Sequence, residues 1–362
     1  MEDLDTLVLR TAVNWQAAGQ AVVLVTVART WGSSPRPPGS LMAINGRGDT
    51  VGSVSGGCIE DDLIERIKAG GVQAACATLT PTVLRYGISA DEAHRFGLPC
   101  GGTVELVLEP LAPHSRVDEL LQACLARRST ERVLDLRSGQ VTLQAGRRDG
   151  VPQVSDTHLT TYLGPQARLI VIGAGDLSRY LCEMALSLGF EVIVCDPREA
   201  QRASWRLPGV EVSTEMPDDI VLRLQPDART AVVTLTHDPK LDDLALIDAL
   251  QSEAFYVGAI GSRRNSEHRR ERLHTHFGIP EAALAALHGP AGLYIGSKTP
   301  AEIALSIMAE IVAVKNGVQA PALVAIEQGK LAHEGPALAP VGSLAEGAGI
   351  CGIDNTASII PR

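Results

Sequence analysis

The sequence predicts an α/β protein in two parts: an α+β half, followed by a doubly wound parallel sheet. Three observations predict it. The chain has 362 residues, enough for about two domains. From Arg168 onward, short fully apolar runs of strand length alternate with helix-length segments, the pattern of a parallel sheet covered on both faces. Before Arg168, apolar runs are joined by turn-rich stretches, as in hairpins.

In the first half, residues 4–18 carry Leu4, Leu7, Val8, Val13 and Trp15 partly at helical spacing. AVVLVTVA (21–28) is a strand-length apolar run, whereas RTWGSSPRPPG (29–39) holds too many prolines and glycines for regular structure. SLMAI, NGRGD and TVGSV (40–54) read as a hairpin. A helix with Ile59, Leu63, Ile64 and Ile67 follows and stops at Gly70–Gly71. Further strands are expected near 74–85 and 103–108, a helix around Leu120–Leu125, and a hairpin of RVLDL and QVTLQ about Ser138–Gly139. The expected N-terminal domain is 1–150, with a polar linker at 151–166.

In the second half, RLIVIGAG (168–175) is a buried strand running into a glycine turn. Leu177, Leu181, Met184, Ala185 and Leu188 mark one helix face, which Gly189 ends. FEVIVCD (190–196), TAVVTLT (230–236), AFYVGAIG (254–261) and GLYIG (292–296) are the next strand candidates. This domain is expected over 167–320, with a loose Ala-, Gly- and Pro-rich tail at 321–362.

Composition narrows the function classes. A net charge of −10 argues against a nucleic-acid binder. The acidic start MEDLDTLVLR is no signal peptide, and no run of ~18 apolar residues exists to span a membrane. Seven scattered cysteines, an odd number, suggest reduced thiols in the cytoplasm.

Four constellations carry chemistry. In GAGDLS (173–178), Gly173 suits a tight turn, Gly175 the close approach of a pyrophosphate, and Ser178 fills the third small position. Asp196 ends the next strand about 20 residues on, where an acid takes ribose hydroxyls. The strand–turn–helix context predicts a Rossmann-like domain. Asp176 would repel a pyrophosphate, so an NAD(P)-dependent oxidoreductase and a shell that merely needs glycine both stay open. In GAIGSRRNSEHRRERL (258–273), Arg263 and Arg264 flank a helix N-terminus, an anion-binding arrangement. Arg269, Arg270 and Arg272 read as a solvated face paired with Glu267 and Glu271. In YIGSKTPAEIALSIMAEIVAVKNG (294–317), Thr299, Pro300 and Glu302 form a capping box. Lys298 lies where a parallel strand ends, and His237–Asp238 reaches the same rim, Asp238 as a cap.

The fourth constellation is sulfur at bare corners. Cys58 follows Gly56–Gly57 in the first turn of a helix, where peptide dipoles favour thiolate, although Glu60, Asp61 and Asp62 oppose that. Cys100 precedes Gly101–Gly102. Each is either an exposed soft ligand or a small buried hydrophobe; Cys76, Cys124, Cys182 and Cys195 read as the latter. No Cys-x₂₋₄-Cys pair supports zinc, and a thiol or sulfur-transfer role stays open. Arg36, gripped between Pro35 and Pro37, is a preorganised guanidinium for phosphate.

Taken together, GSSPRPPGSLMAINGRGDTVGSVSGGCIED, GLPCGGTVELVLEPL, VIGAGDLSRYL, VCDPRE, VGAIGSRRN and IGSKTPAEIALSIMAEIVAVKNG resemble the XdhC/CoxI family from about residue 20 to 320. These are accessory proteins of molybdenum hydroxylases. The resemblance implies a chaperone, not an enzyme, that binds and protects molybdenum cofactor (molybdopterin), supports its sulfuration and inserts it into an apo-enzyme. The implied partners are that apo-hydroxylase client, a cysteine desulfurase, a cofactor nucleotidyltransferase and a second copy of the chain. By matching position, Cys58 and Cys100 are the implied metal ligands, and Gly173 and Gly175 the nucleotide-binding turn. Many members carry Gly-Ala-Gly-His with a further glycine; Asp176 and Ser178 here are similar to the aldehyde oxidoreductase branch, which implies molybdopterin cytosine dinucleotide. The expected site is one cleft between the domains, with Cys58, Cys100 and Arg36 on one wall and Arg263 and Lys298 on the other.

Overall fold

The computed structural model describes residues 3–32, 36–66, 68–69, 79–87, 102–146 and 150–318, with Cys58 described by its backbone alone. The first half centres on an antiparallel sheet of β1 (Val22–Trp31), β2 (Leu41–Asn45), β3 (Thr50–Gly52), β4 (Thr82–Tyr86) and β5 (Thr103–Pro110), in the order β3-β2-β1-β5-β4. Helix α1 (Leu4–Ala17) opens at Asp3, whose carboxylate accepts from the Thr6 amide at 2.8 Å. Helix α2 (Cys58–Arg66) covers one face of the sheet through Ile59 and Leu63. Both are fully buried, worth about 1.5–3 kcal/mol each. Helix α1 covers the opposite face together with α3 (Val117–Leu125), burying Val8, Leu9, Ala12, Leu120 and Leu121.

The expected linker is in part a sheet. β8 (Gln153–Val154) and β9 (His158–Leu163) join β6 (Thr130–Asp135) and β7 (Val141–Ala145) in the order β7-β6-β9-β8. Leu159 and Thr161 alternate inward along β9, a half-buried pattern that the polar composition of this segment conceals. A buried ion pair, Arg132 to Glu109 at 2.6 Å, ties this sheet to β5.

The second half is a six-stranded parallel sheet of β10 (Arg168–Ile172), β11 (Glu191–Cys195), β12 (Glu211–Ser213), β13 (Thr230–Thr234), β14 (Tyr256–Ala259) and β15 (Leu287–His288). Its order is β12-β11-β10-β13-β14-β15, the doubly wound arrangement. Helices α4 (Asp176–Ser187) and α10 (Pro300–Lys315) cover one face. Helices α6 (Pro217–Leu224), α7 (Pro239–Ala249) and α8 (Arg263–Phe277) cover the other; α5 (Glu199–Arg202) and α9 (Glu281–Leu284) are short. The last strand is 287–288 rather than 292–296, because Gly292 and Gly296 take positive φ, +107° and +75°, and cannot extend a ladder.

The halves meet at the amino ends of the parallel strands. Arg127, just after α3, donates to Asp227 from Nε (2.8 Å) and Nη2 (3.0 Å), and to Glu191 from Nη1 (3.0 Å). Arg168 reaches the same Glu191 at 2.9 Å, and Arg229 Nε donates to the Pro165 carbonyl. Among the described residues no helix is long and apolar enough to cross a membrane.

Candidate functional site

Strand direction decides what meets at the end of the first sheet. Trp31 at the end of β1 pairs with Thr103 at the start of β5, and Tyr86 at the end of β4 pairs with Val104. Met42, near the start of β2, pairs with Gly52 at the end of β3. The Arg36 loop, the 53–57 loop before Cys58 and the connection between β4 and β5 therefore leave from one edge. That connection carries Cys100 and Gly101, which lie outside the described residues; Gly102 is buried beside Thr103. Helix α2 bridges the edge: Asp62, one turn after Cys58, accepts from Tyr86 Oη at 2.8 Å. Asp62 also pairs with Arg66.

The 53–57 loop is wound around one carboxylate. Glu60 accepts from the amides of Val54 (3.0 Å), Ser55 (2.7 Å), Gly56 (2.9 Å) and Gly57 (2.8 Å), and from the hydroxyls of Ser53 (2.9 Å) and Ser55. Burial pushes this carboxyl up, but the Ser55 hydroxyl and the three amides of Ser55, Gly56 and Gly57 outweigh it, bringing it down to about 2. Arg36 Nε donates to Ser53 Oγ at 3.3 Å, so the guanidinium flanks the same loop. Gly56 (φ +96°) and Gly57 are exposed, with open space where a Cβ would stand. The result is a rigid, bare platform immediately before Cys58. Glu60 is thus not a free acid opposing a thiolate but the post on which the loop is strung.

The second constellation gathers at the carboxyl rim of the parallel sheet. Gly173 has φ +112°, and a Cβ there would lie 3.1 Å from Thr236 Cγ2, so the turns after β10 and β13 touch. Gly175 caps α4 and faces open space. Asp196 is fully buried and already engaged: it accepts from the Ala174 amide at 2.9 Å and from the Arg198 guanidinium at 2.9 Å. It braces the glycine turn instead of waiting for ribose. Ser178 is buried in α4, its hydroxyl without a partner among the described residues. His237 is exposed with φ +59°, and Asp238 caps α7 by accepting from the Lys240 amide. Arg263 opens α8 and Lys298 precedes α10; neither side chain has a hydrogen bond or ion pair among the described residues.

Arg269 is not on a solvated face. It is buried, donating to Asp242 (3.1 Å), Asp243 (3.3 Å) and the Ile260 carbonyl (2.9 Å), while Asp242 accepts from the Thr236 hydroxyl at 2.7 Å. This network sets the floor of the rim between β13 and β14. Arg272 pairs with Asp243, and Arg270 donates to the Leu287 carbonyl, so neither needs Glu267 or Glu271. A second buried cluster anchors α10: Glu310 accepts from Tyr256 Oη (2.6 Å) and the Gly292 amide (2.7 Å) and meets His288 Nδ1 (3.0 Å).

Two family profiles match in this same order along the chain: one described as "XdhC and CoxI family" over residues 15–87, and one described as "XdhC Rossmann domain" over 169–311. The chain belongs to the XdhC/CoxI family. Its XdhC/CoxI relatives include a Bacillus subtilis protein named as a probable xanthine dehydrogenase subunit, 27% identical over 327 residues, covering 83% of this chain and 94% of the relative. "Molybdenum cofactor insertion chaperone PaoD" of Escherichia coli is 26% identical over 317 residues, covering 85% and 88%. A crystal structure described as a xanthine dehydrogenase from Bacillus halodurans superposes with a TM-score of 0.67 at 26% identity, covering 88% of this chain and 97% of that one.

Within this XdhC/CoxI chain the expected single interdomain cleft is not what the described contacts make. The domains touch at the amino ends of β10, β11 and β13, while the rim lies at the carboxyl ends, about 17 Å further along. Helix α2 lies on the sheet face opposite α1 and α3, and it is the α3 side that carries the junction. The remaining described cysteines fit their expected roles: Cys124, Cys182 and Cys195 are buried, and burial pushes Cys124 and Cys195 up to about 12. Sequence reasoning missed the loop-organising role of Glu60, which stands three residues after Gly57, the spacing from which a carboxylate reaches back to a cap amide.

Proposed function

We propose that this protein is a molybdenum cofactor chaperone: it holds the cofactor as cargo, shelters it during sulfuration and delivers it to a molybdenum hydroxylase client. The observation that carries this reading is the Glu60-strung platform, a bare Gly56–Gly57 corner leading into Cys58 at the edge from which the Cys100 segment also departs. Thiolate sulfur is the soft donor that a molybdenum–dithiolene head favours. Arg36 beside the loop supplies a cation for the pterin phosphate. Family membership, and the resemblance to the insertion chaperone across most of both chains, support the same reading.

The carboxyl rim is the seat for a nucleotide, with the Gly173–Gly175 turn and Arg263 and Lys298 around it. That suits the cytosine dinucleotide form and an aldehyde oxidoreductase or xanthine dehydrogenase client. The buried, engaged Asp196 weighs against a nicotinamide oxidoreductase. A second copy of the chain, whose rim meets the strand end of the first, is the partner that would join the two seats. A cysteine desulfurase and a cofactor nucleotidyltransferase complete the expected circle of partners.

The test is co-purification from molybdate-fed cells, followed by metal and nucleotide analysis of the bound material. Wild-type protein should carry molybdenum. Cys58→Ser and Cys100→Ser should each lower retained molybdenum roughly tenfold or more without unfolding the chain. If both variants retain wild-type levels, the thiols are not the ligands. Arg263→Ala should weaken retention of the dinucleotide form more than of plain molybdopterin; equal losses would remove Arg263 from the nucleotide seat.

A further inference from the structure

The outer face of the parallel-sheet domain carries an apolar groove of about 730 Å³ between α4 and α10. Met184 and Leu188 form one wall, Leu305, Met308 and Val312 the other. Leu188 and Leu305 are about half exposed, at 53% and 52%. Its polar fringe, Glu183, Ser187 and Asn316, lies at the helix edges.

The chain itself is steered toward this groove. Helix α10 ends in a Schellman turn: Gly317 takes φ +67° and donates to the Val314 carbonyl, and the Val318 amide donates to Ala313 at 2.9 Å. This turn folds the chain back over the last turn of α10 and sets Val318 on the lip of the groove, where it is itself one of the lining residues. Residues 319–362 continue from that point and lie outside the described residues. They begin QAPALVAIEQGKL, with Leu323, Val324 and Ile326 within a few positions of the lip. The residue before a proline, here Ala320, is biased toward extended backbone. From Asn316 back to Leu305 the groove measures about 17 Å, which an extended chain covers in about five or six residues. Leu323 and Val324 then fall level with Leu305, beyond Leu188, which stands at the Val318 end.

We propose that residues 319–324 of the same chain lie along the α4–α10 groove as an intramolecular strap, with Leu323 and Val324 seated at its Leu305 end. Tethering at Val318 makes the effective concentration of this segment high without any strong contact. The proposal is independent of the cofactor reading.

The full-length chain with Leu305→benzoylphenylalanine tests it. Leu305 is half exposed, so the substitution leaves the core in place. On irradiation of purified protein, the expected crosslink joins position 305 to residues 319–331 in a product of one-chain mass. A crosslink joining two chains would assign the groove to a second copy and overturn the proposal, as would one-chain crosslinks that avoid 319–331. In the otherwise native chain, Leu323→Asp with Val324→Asp should raise the fluorescence of an apolar dye several-fold, and in the crosslinking chain lower the yield by a similar factor. Unchanged dye binding and yield would equally overturn it.

Discussion

Replacing Arg269 with alanine is expected to destabilise the parallel-sheet domain by about 3–5 kcal/mol. The guanidinium is buried and holds two buried carboxylates, Asp242 and Asp243, along with the Ile260 carbonyl. Its loss strands negative charge in a low-dielectric interior, which costs far more than a surface pair. Thermal unfolding followed by circular dichroism should show a fall of about ten degrees in Tm. A change under about 1 kcal/mol would mean that water enters and replaces the guanidinium. The pH dependence gives an independent check. Burial already holds Asp242 above the usual carboxylate range, with Thr236 and Arg269 partly offsetting it. A carboxyl raised on folding contributes most when protonated, and its contribution falls as pH rises through the folded value. Without Arg269 that value rises further, so the variant's deficit should widen from acid to neutral pH. Arg270→Ala, which removes only a bond to the Leu287 carbonyl, should cost much less.

Glu60→Ala is expected to release the 53–57 loop at a cost of about 2 kcal/mol, because the buried Val54 and Ser55 amides lose their acceptor while those of exposed Gly56 and Gly57 turn to water. Hydrogen exchange at residues 54–57 should accelerate at least roughly tenfold. Retained molybdenum should fall alongside it, since the platform before Cys58 loses its shape. Glu60→Gln keeps a carbonyl acceptor and should lie between the two. The sign with pH follows from the depressed carboxyl. Its contribution is fully present above the unfolded value of 4.5 and is lost as pH falls through about 2. Wild type should therefore keep slow exchange in this loop in mild acid. Fast exchange in wild type at neutral pH would contradict the clamp.

Most of the architecture was legible because period and punctuation agreed. AVVLVTVA became β1, SLMAI–NGRGD–TVGSV became β2 and β3, and the glycine turns at Gly173 and Gly261 lie where the apolar runs of β10 and β14 end. The capping box at Thr299 and Glu302 is present as read. Failures came where side chains served partners that spacing does not reveal. The arginine run after Gly261 looks solvated on charge alone, yet Arg269 turns inward because α7 offers Asp242 and Asp243. Asp196 stands where a ribose acid belongs, yet Arg198, two residues on, and the Ala174 amide claim it. The β8–β9 pairing hid in polar composition, since Thr161 is buried where an apolar residue would have announced a strand.

For the site, spacing revealed the glycine corners but not what holds them. That Glu60 gathers four amides depends on the loop's path, which no periodicity encodes. That the domains join through strand feet is equally invisible, because Arg127, Glu191 and Asp227 are far apart in sequence and ordinary in type.

That three-way guanidinium grip has a mechanical corollary. Because the halves are riveted at the amino edge, none of these described bonds crosses the carboxyl rim. On the proposed reading, loading and release of the cofactor need break none of these bonds.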